Sequence, residues 1–167
     1  MTSLKRTLAV KFKGAKRIVF LGVGSDLRGD DSAGIVFVKR LRKILRSPYK
    51  KIRLSFLIGS TAPENLTGKI KRLNPTHLVI VDAAMVGKRA GVIRLLSADS
   101  ASSAMFSTHT LPLNVMTGYL KRYIDCSIII AGIRPGNTAF GKSLSPDVDA
   151  AIARLAHIIS EALASSP

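Results

Sequence analysis

"GVGSDLRGDDSAG", residues 22–34, decides how the rest of the chain is arranged. The apolar run Ile18 to Leu21 leads into it and a helical pattern leaves it, so it reads as the turn from a buried strand into a helix. Gly22, Gly24 and Gly29 relieve backbone crowding there, while Asp26, Asp30 and Asp31 are three of only ten acidic residues in a chain of formal charge +16. The plain explanation for such acids is capping, in which a carboxylate or Ser32 accepts backbone N–H groups at the positive end of the helix. Capping does not explain why Asp30 and Asp31 stand side by side.

Downstream, Phe37, Val38, Leu41, Ile44 and Leu45 recur at helical spacing with Lys39, Arg40, Arg42 and Lys43 opposite. This predicts an amphipathic helix from Ala33 to the Ser47-Pro48 break. Ile52 to Ile58 is a second strand, ended by Gly59. Thr61 and Glu64 have capping-box spacing, which opens a helix from Pro63 to Leu73 that Asn74-Pro75 stops. His77 to Val81 is a third strand with Asp82 at its C-terminal end. Gly91 to Leu96 follows too closely for a helical crossover and is expected as an antiparallel neighbour.

"DSASSAMFSTHTLPLN", residues 99–114, reads as a Ser- and Thr-rich loop. Thr110 and Pro112 mark the entry to a helix from Leu113 to Tyr123. Ile128 to Ile133 is a fifth strand, expected at the centre of the sheet. Ser145-Pro146-Asp147 opens a last helix whose apolar stripe runs from Val148 to Leu163. The fold class is α/β: a three-layer sandwich with an about five-stranded, mostly parallel sheet, one antiparallel strand and helices on both faces. In such sheets ligands bind beyond the carboxyl ends of the strands.

A length of 167 residues and 47% hydrophobic content fit a single packed domain over 1–167, with a basic leader over 1–16. The leader lacks the uninterrupted apolar core of a signal peptide, and no run approaches the ~18 apolar residues of a spanning helix. Cys126 has no disulfide partner and reads as a small buried hydrophobe, which suits a reducing, cytoplasmic setting. The positive charge invites a nucleic-acid reading. Basic residues are scattered, however, aromatics make up 5% and no nucleic-acid motif is present, so a nucleic-acid partner is not expected.

Asp82 either anchors the turn after its strand or stands at the functional rim of the sheet. If the first and third strands are adjacent, Asp31 and Asp82 face one crevice. His109 sits at a helix entry, whose positive end keeps an imidazole neutral near pH 7; the alternative is a solvated loop side chain. His77 lies about 16 Å from Asp82 along the same strand, and His157 lies about 180° around the last helix from Val148. Asp31, Asp82 and His109 form an O/N donor set that suits a divalent first-row metal, and the same groups suit activation of water. No nucleophile elbow or "HExxH" occurs. The G-x-G-x-x-x-x-G spacing of Gly22, Gly24 and Gly29 misses the dinucleotide fingerprint.

Together these residues resemble the hydrogenase maturation endopeptidases, of the hydrogenase-3 type that serves formate-linked [NiFe] hydrogenases. The resemblance rests on "GVGSDLRGDDSAG", "STAPEN" (60–65), "LVIVDA" (78–83), "STHTLPLN" (107–114) and "GIRP" (132–135), in family order. The family usually has Asn where this chain has Ser25. The resemblance implies a twisted sheet between helices and a protease that removes the C-terminal extension of a [NiFe] hydrogenase large-subunit precursor after nickel insertion. It maps catalytic and metal positions onto Asp31, Asp82 and His109, with nickel carried by the substrate. Whether a carboxylate activates water, as in aspartic-type chemistry, or the metal polarises the carbonyl is left open. Thr61, Thr108 and Thr110 are expected beside the substrate tail. Two rival readings are a peptidyl-tRNA hydrolase-like esterase on a related fold and a non-catalytic metal- or partner-binding maturation factor.

Overall fold

The computed structural model describes residues 3–45, 52–96 and 113–164. Five strands, β1 (Arg17–Val23), β2 (Arg53–Ser60), β3 (His77–Ala83), β4 (Ile93–Leu96) and β5 (Ser127–Ile133), form one sheet in the order β2-β1-β3-β5-β4. The β1–β2, β1–β3 and β3–β5 pairs are parallel, and β4 runs antiparallel to β5. β3 is buried at every position, as expected of an interior strand covered on both faces.

The helices are α1 (Ser3–Lys11), α2 (Ala33–Ile44), α3 (Thr67–Leu73), α4 (Leu113–Lys121) and α5 (Pro146–Ala164). Strand side chains alternate between faces, and the core divides accordingly. Phe20, Val79, Val81 and Ile129 join Phe37, Leu41, Ile152 and Ile159 from α2 and α5. Leu21, Leu78, Ile80 and Ile130 join Ile70, Leu113, Met116 and Leu120 from α3 and α4. The three-layer α/β sandwich with a single antiparallel strand is therefore the observed architecture.

The structure adds to or corrects the local expectations at four points. The basic leader is largely helical: α1 packs on α5, Leu8 and Phe12 are fully buried, and Lys5 pairs with Glu161 at 3.1 Å. Its Lys and Arg residues hide a small apolar stripe of Leu4, Leu8 and Phe12. Second, β4 pairs with β5 and not with β3, because both edges of β3 are already taken by β1 and β5. β5 is thus interior but not central. Third, the capping box of Thr61 and Glu64 is not formed. Pro63, with its fixed φ and no N–H, begins a 3₁₀ turn over Pro63–Leu66, so the boundary falls on Ala62 and leaves Thr61 outside. Fourth, no side chain caps α2, for a reason given below.

Cys126 is half-buried against the α3–α4 core, and burial pushes its thiol up to about 11, which keeps it protonated. No described helix is long and apolar enough to cross a membrane. The Phe12 ring, just past α1, lies 6.2 Å from that of His77 at the start of β3, so the leader closes the end of the sheet opposite Asp82. Phe12→Ala is expected to lower unfolding free energy by about 3–5 kcal/mol in urea denaturation. A loss below about 1 kcal/mol would show that the Phe12 end of the leader adds nothing to the core.

Candidate active site

The turn that leaves β1 folds back on itself. Gly24, at φ 133°, donates its N–H to Ser60 O at 2.9 Å, and Ser25 N–H reaches Asp31 O at 3.1 Å. Ser25 Oγ accepts a long hydrogen bond of 3.4 Å from Leu27 N–H; a serine here closes the turn from its side chain, as Asn does in Asx turns. Asp31 N–H in turn meets Arg28 O at 2.9 Å. The chain then enters α2 through a 3₁₀ turn, Gly29–Ser32.

The first turn of α2 presses into the sheet between β1 and β3. A Cβ at Gly34 would overlap the carbonyl oxygens of Val81 and Val23, and one at Gly22 would overlap Gly34 O. Only glycine permits that approach, and it brings Asp31, three residues before Gly34, beside Asp82 near the end of β3. The adjacency of β1 and β3 on which the shared crevice depended is present.

Asp82 is fully buried and Asp31 is 2% exposed. Asp82 Oδ1 accepts the Ala83 N–H at 2.8 Å. Among the described residues, Asp82 Oδ2 and both carboxylate oxygens of Asp31 have no hydrogen-bond partner. Burying an ionised carboxylate without donors is costly, so the group holds its proton instead. Burial pushes Asp82 up to about 8, the adjacent Asp31 charge adds to the rise, and the Ala83 N–H opposes it. Near neutral pH, Asp82 is therefore mostly protonated. Such a pair can exchange a proton with a water between its members. It can also lose that proton to solvent when a divalent cation binds, because the cation's charge reverses the electrostatic preference.

Asp30 faces elsewhere, which explains why there are two acids. Its side chain accepts hydrogen bonds from Gly136 N–H (2.7 Å), Asn137 N–H (2.8 Å), Ser145 N–H (2.6 Å) and Ser145 Oγ (2.9 Å). Burial pushes its carboxyl up, but these donors outweigh it and hold the group below the usual carboxylate range. Neither Asp30 nor Asp31 caps α2. The boundary residue Ser32 has helical dihedrals, φ −75° and ψ −3°, and its Oγ donates to Gly29 O at 2.7 Å.

Thr61 is exposed and lines an open groove of about 350 Å³ with Ser25, Leu27, Arg28 and Phe140. His109, Thr108 and Thr110 lie outside the described residues. His77 is buried at the opposite end of β3 and His157 is exposed on α5, so neither joins the carboxylates. Among the described residues no three His, Cys, Asp or Glu side chains form a metal-binding group; Asp31 and Asp82 are the two described members of the expected trio. Sequence reasoning missed Gly34 and the segment 134–145, although "GIRPGN" and the unexplained Asp30 both pointed there.

A family model described as hydrogenase maturation protease matches residues 36–162. The chain is 38% identical over 135 residues to a putative hydrogenase maturation protease of Methanocaldococcus jannaschii, covering 79% of this chain and 80% of that protein. The chain belongs to the hydrogenase maturation protease family. It is 36% identical over 123 residues to the hydrogenase 3 maturation protease of Escherichia coli K12, covering 73% and 75% of the two chains. The crystal structure of a [NiFe] hydrogenase maturation protease from Thermococcus kodakarensis superposes with a TM-score of 0.84 at 31% identity, covering 95% of this chain and 99% of that one. This membership makes the chain a peptidase of hydrogenase maturation, against the transfer-RNA esterase and the non-catalytic factor.

The buried pair of the maturation protease predicts a stability signature. An unfolded Asp titrates near ~3.9, whereas folded Asp82 titrates near about 8. Between these values the folded state holds a proton that the unfolded state has lost. The associated stability is thus fully present below pH ~4 and is lost as pH rises toward about 8. Asp82→Asn removes this dependence. Its stability relative to wild type, from denaturant midpoints, is expected to rise between pH 5 and 8 by an amount on the order of a few kcal/mol. Parallel stability curves would contradict the raised Asp82 value.

Proposed function

We propose that this maturation protease removes the C-terminal extension of a [NiFe] hydrogenase large-subunit precursor at a site made by Asp31, Asp82 and His109. The reading is carried by the two carboxylates buried side by side at the rim of β1 and β3, with three oxygens that no described donor satisfies. Such oxygens suit a hard or borderline divalent cation, and an added imidazole completes a set fit for nickel. The nickel belongs to the precursor as part of the substrate, and it would add positive charge where the carboxylates converge. His109 lies four residues before Leu113, and Leu113 is buried in the α3–α4 core. By strand alternation from Leu78 and Ile80, Asp82 belongs to that same face.

In this reading Asp31 and Asp82 orient the metal-loaded end of the precursor, and a carboxylate oxygen takes the proton of the attacking water. Thr61, Thr108 and Thr110 flank the tail. The setting is cytoplasmic in this reading, in keeping with a single cysteine that has no second cysteine in the sequence to pair with.

The test is incubation with nickel-loaded precursor, read by the mass of the released C-terminal peptide. Wild type is expected to release it. Asp31→Asn, Asp82→Asn and His109→Ala are each expected to slow release by about 100-fold or more. Undiminished processing by either Asp variant would overturn the assignment.

A further inference from the structure

The groove that Thr61 lines has residues of the 24–28 turn on one side and Phe140, from the segment after β5, on the other. Leu27 is 60% exposed and Phe140 is 72% exposed, so two large apolar side chains stand free at its edges. Leaving both in water is unfavourable, and neither is used by the core. The two walls are tied together by their backbones: Gly141 N–H to Leu27 O at 2.9 Å, Gly29 N–H to Lys142 O at 3.0 Å, and Asp30 N–H to Asn137 O at 2.9 Å. A Cβ at Gly29, whose φ is 48°, would overlap Asn137 O. At the centre of this tie lies the Asp30 carboxylate, collecting four donors from residues 136, 137 and 145.

We propose that Phe140 and Leu27 are specificity-determining contacts that grip an apolar side chain of the precursor's C-terminal tail, and that Asp30 is the positioning residue holding the Phe140 wall in place. The inference rests on the function proposed above and deepens it. The occupant follows from continuity with the site: Asp31 N–H bonds Arg28 O and Ser25 N–H bonds Asp31 O, so the groove and the carboxylate pair share one turn. Arg28 and Ser25 also line the groove, where a guanidinium and a hydroxyl can donate hydrogen bonds to the carbonyls of an extended peptide. Asp30 thus has the same sequence context as Asp31 but a different task, which is to fix where substrate binds.

Steady-state processing of nickel-loaded precursor by wild type, Phe140→Ala, Phe140→Leu, Asp30→Asn and Asp30→Asn/Phe140→Ala tests this. Phe140→Ala is expected to raise KM about tenfold with kcat within about twofold, since the loss is one of apolar contact. Phe140→Leu is expected to recover most of the loss. Asp30→Asn is expected to raise KM likewise, and the double variant is expected to be no worse than about twofold beyond the poorer single one, because both changes act on one wall. Thermal unfolding of Phe140→Ala should match wild type, given the exposure of that ring. Wild-type processing with an unchanged KM in Phe140→Ala, or with additive KM effects in the double variant, overturns this inference alone. If wild type fails to cut the precursor, the proposed function itself falls.

Discussion

The structure depends on two carboxylates being buried together where β1, β3 and α2 meet. Asp31 and Asp82 have little exposure, and three of their four carboxylate oxygens lack a donor among the described residues. An isolated arrangement of this kind opposes folding, because desolvated like charges repel and, among the described residues, the Ala83 N–H on Asp82 Oδ1 is the one donor that offsets the loss of water. The fold tolerates it by leaving a proton on Asp82. In the function proposed above, the same arrangement would draw a positive centre to the rim, so a stability cost and a binding capacity would have one origin.

Backbone, not side chains, sets the spacing of that pair. Gly34 lets α2 touch the carbonyls of Val23 and Val81, and Gly22 leaves room for Gly34. Adding a methyl group at either would force α2 away from the sheet and carry Asp31 with it. The aromatic and aliphatic residues of α2, Phe37, Val38 and Leu41, then hold the helix against the α5 side of the sheet. Asp30 stabilises the next layer outward by tying residues 136–145 to the same turn. The site is therefore a stack: sheet rim, carboxylate pair, then groove wall, each fixed by the one beneath.

Much of this was legible in the chain itself. Five strands and the long α5 were visible because their apolar residues recur with clear periods, and Asp82 marked its own place by ending a run of four apolar residues. The parallel order of β1 and β3 brought Asp31 and Asp82 together as expected. Other features were not legible because they arise from single contacts. The helical leader is concealed by its Lys and Arg residues, which interrupt the Leu4, Leu8, Ala9 and Phe12 that pack on the core. The capping expectations at Ser32 and Thr61 failed where 3₁₀ turns displaced the helix starts by a residue or more. The separate tasks of Asp30 and Asp31 depend on the partner loop at 136–145, more than 100 residues away, which local pattern does not reveal.

The central claim is that Asp82 shares a buried, like-charged environment with Asp31. Side-chain carboxyl ¹³C chemical shifts, followed by NMR through a pH titration of wild type and Asp31→Asn, report on it directly. Asp82 is expected to titrate near about 8 in wild type, and to fall when the neighbouring charge is removed while remaining above the ordinary carboxylate range because of burial. An Asp82 carboxyl that titrates near 4 in wild type, or that is unmoved by Asp31→Asn, would contradict the account.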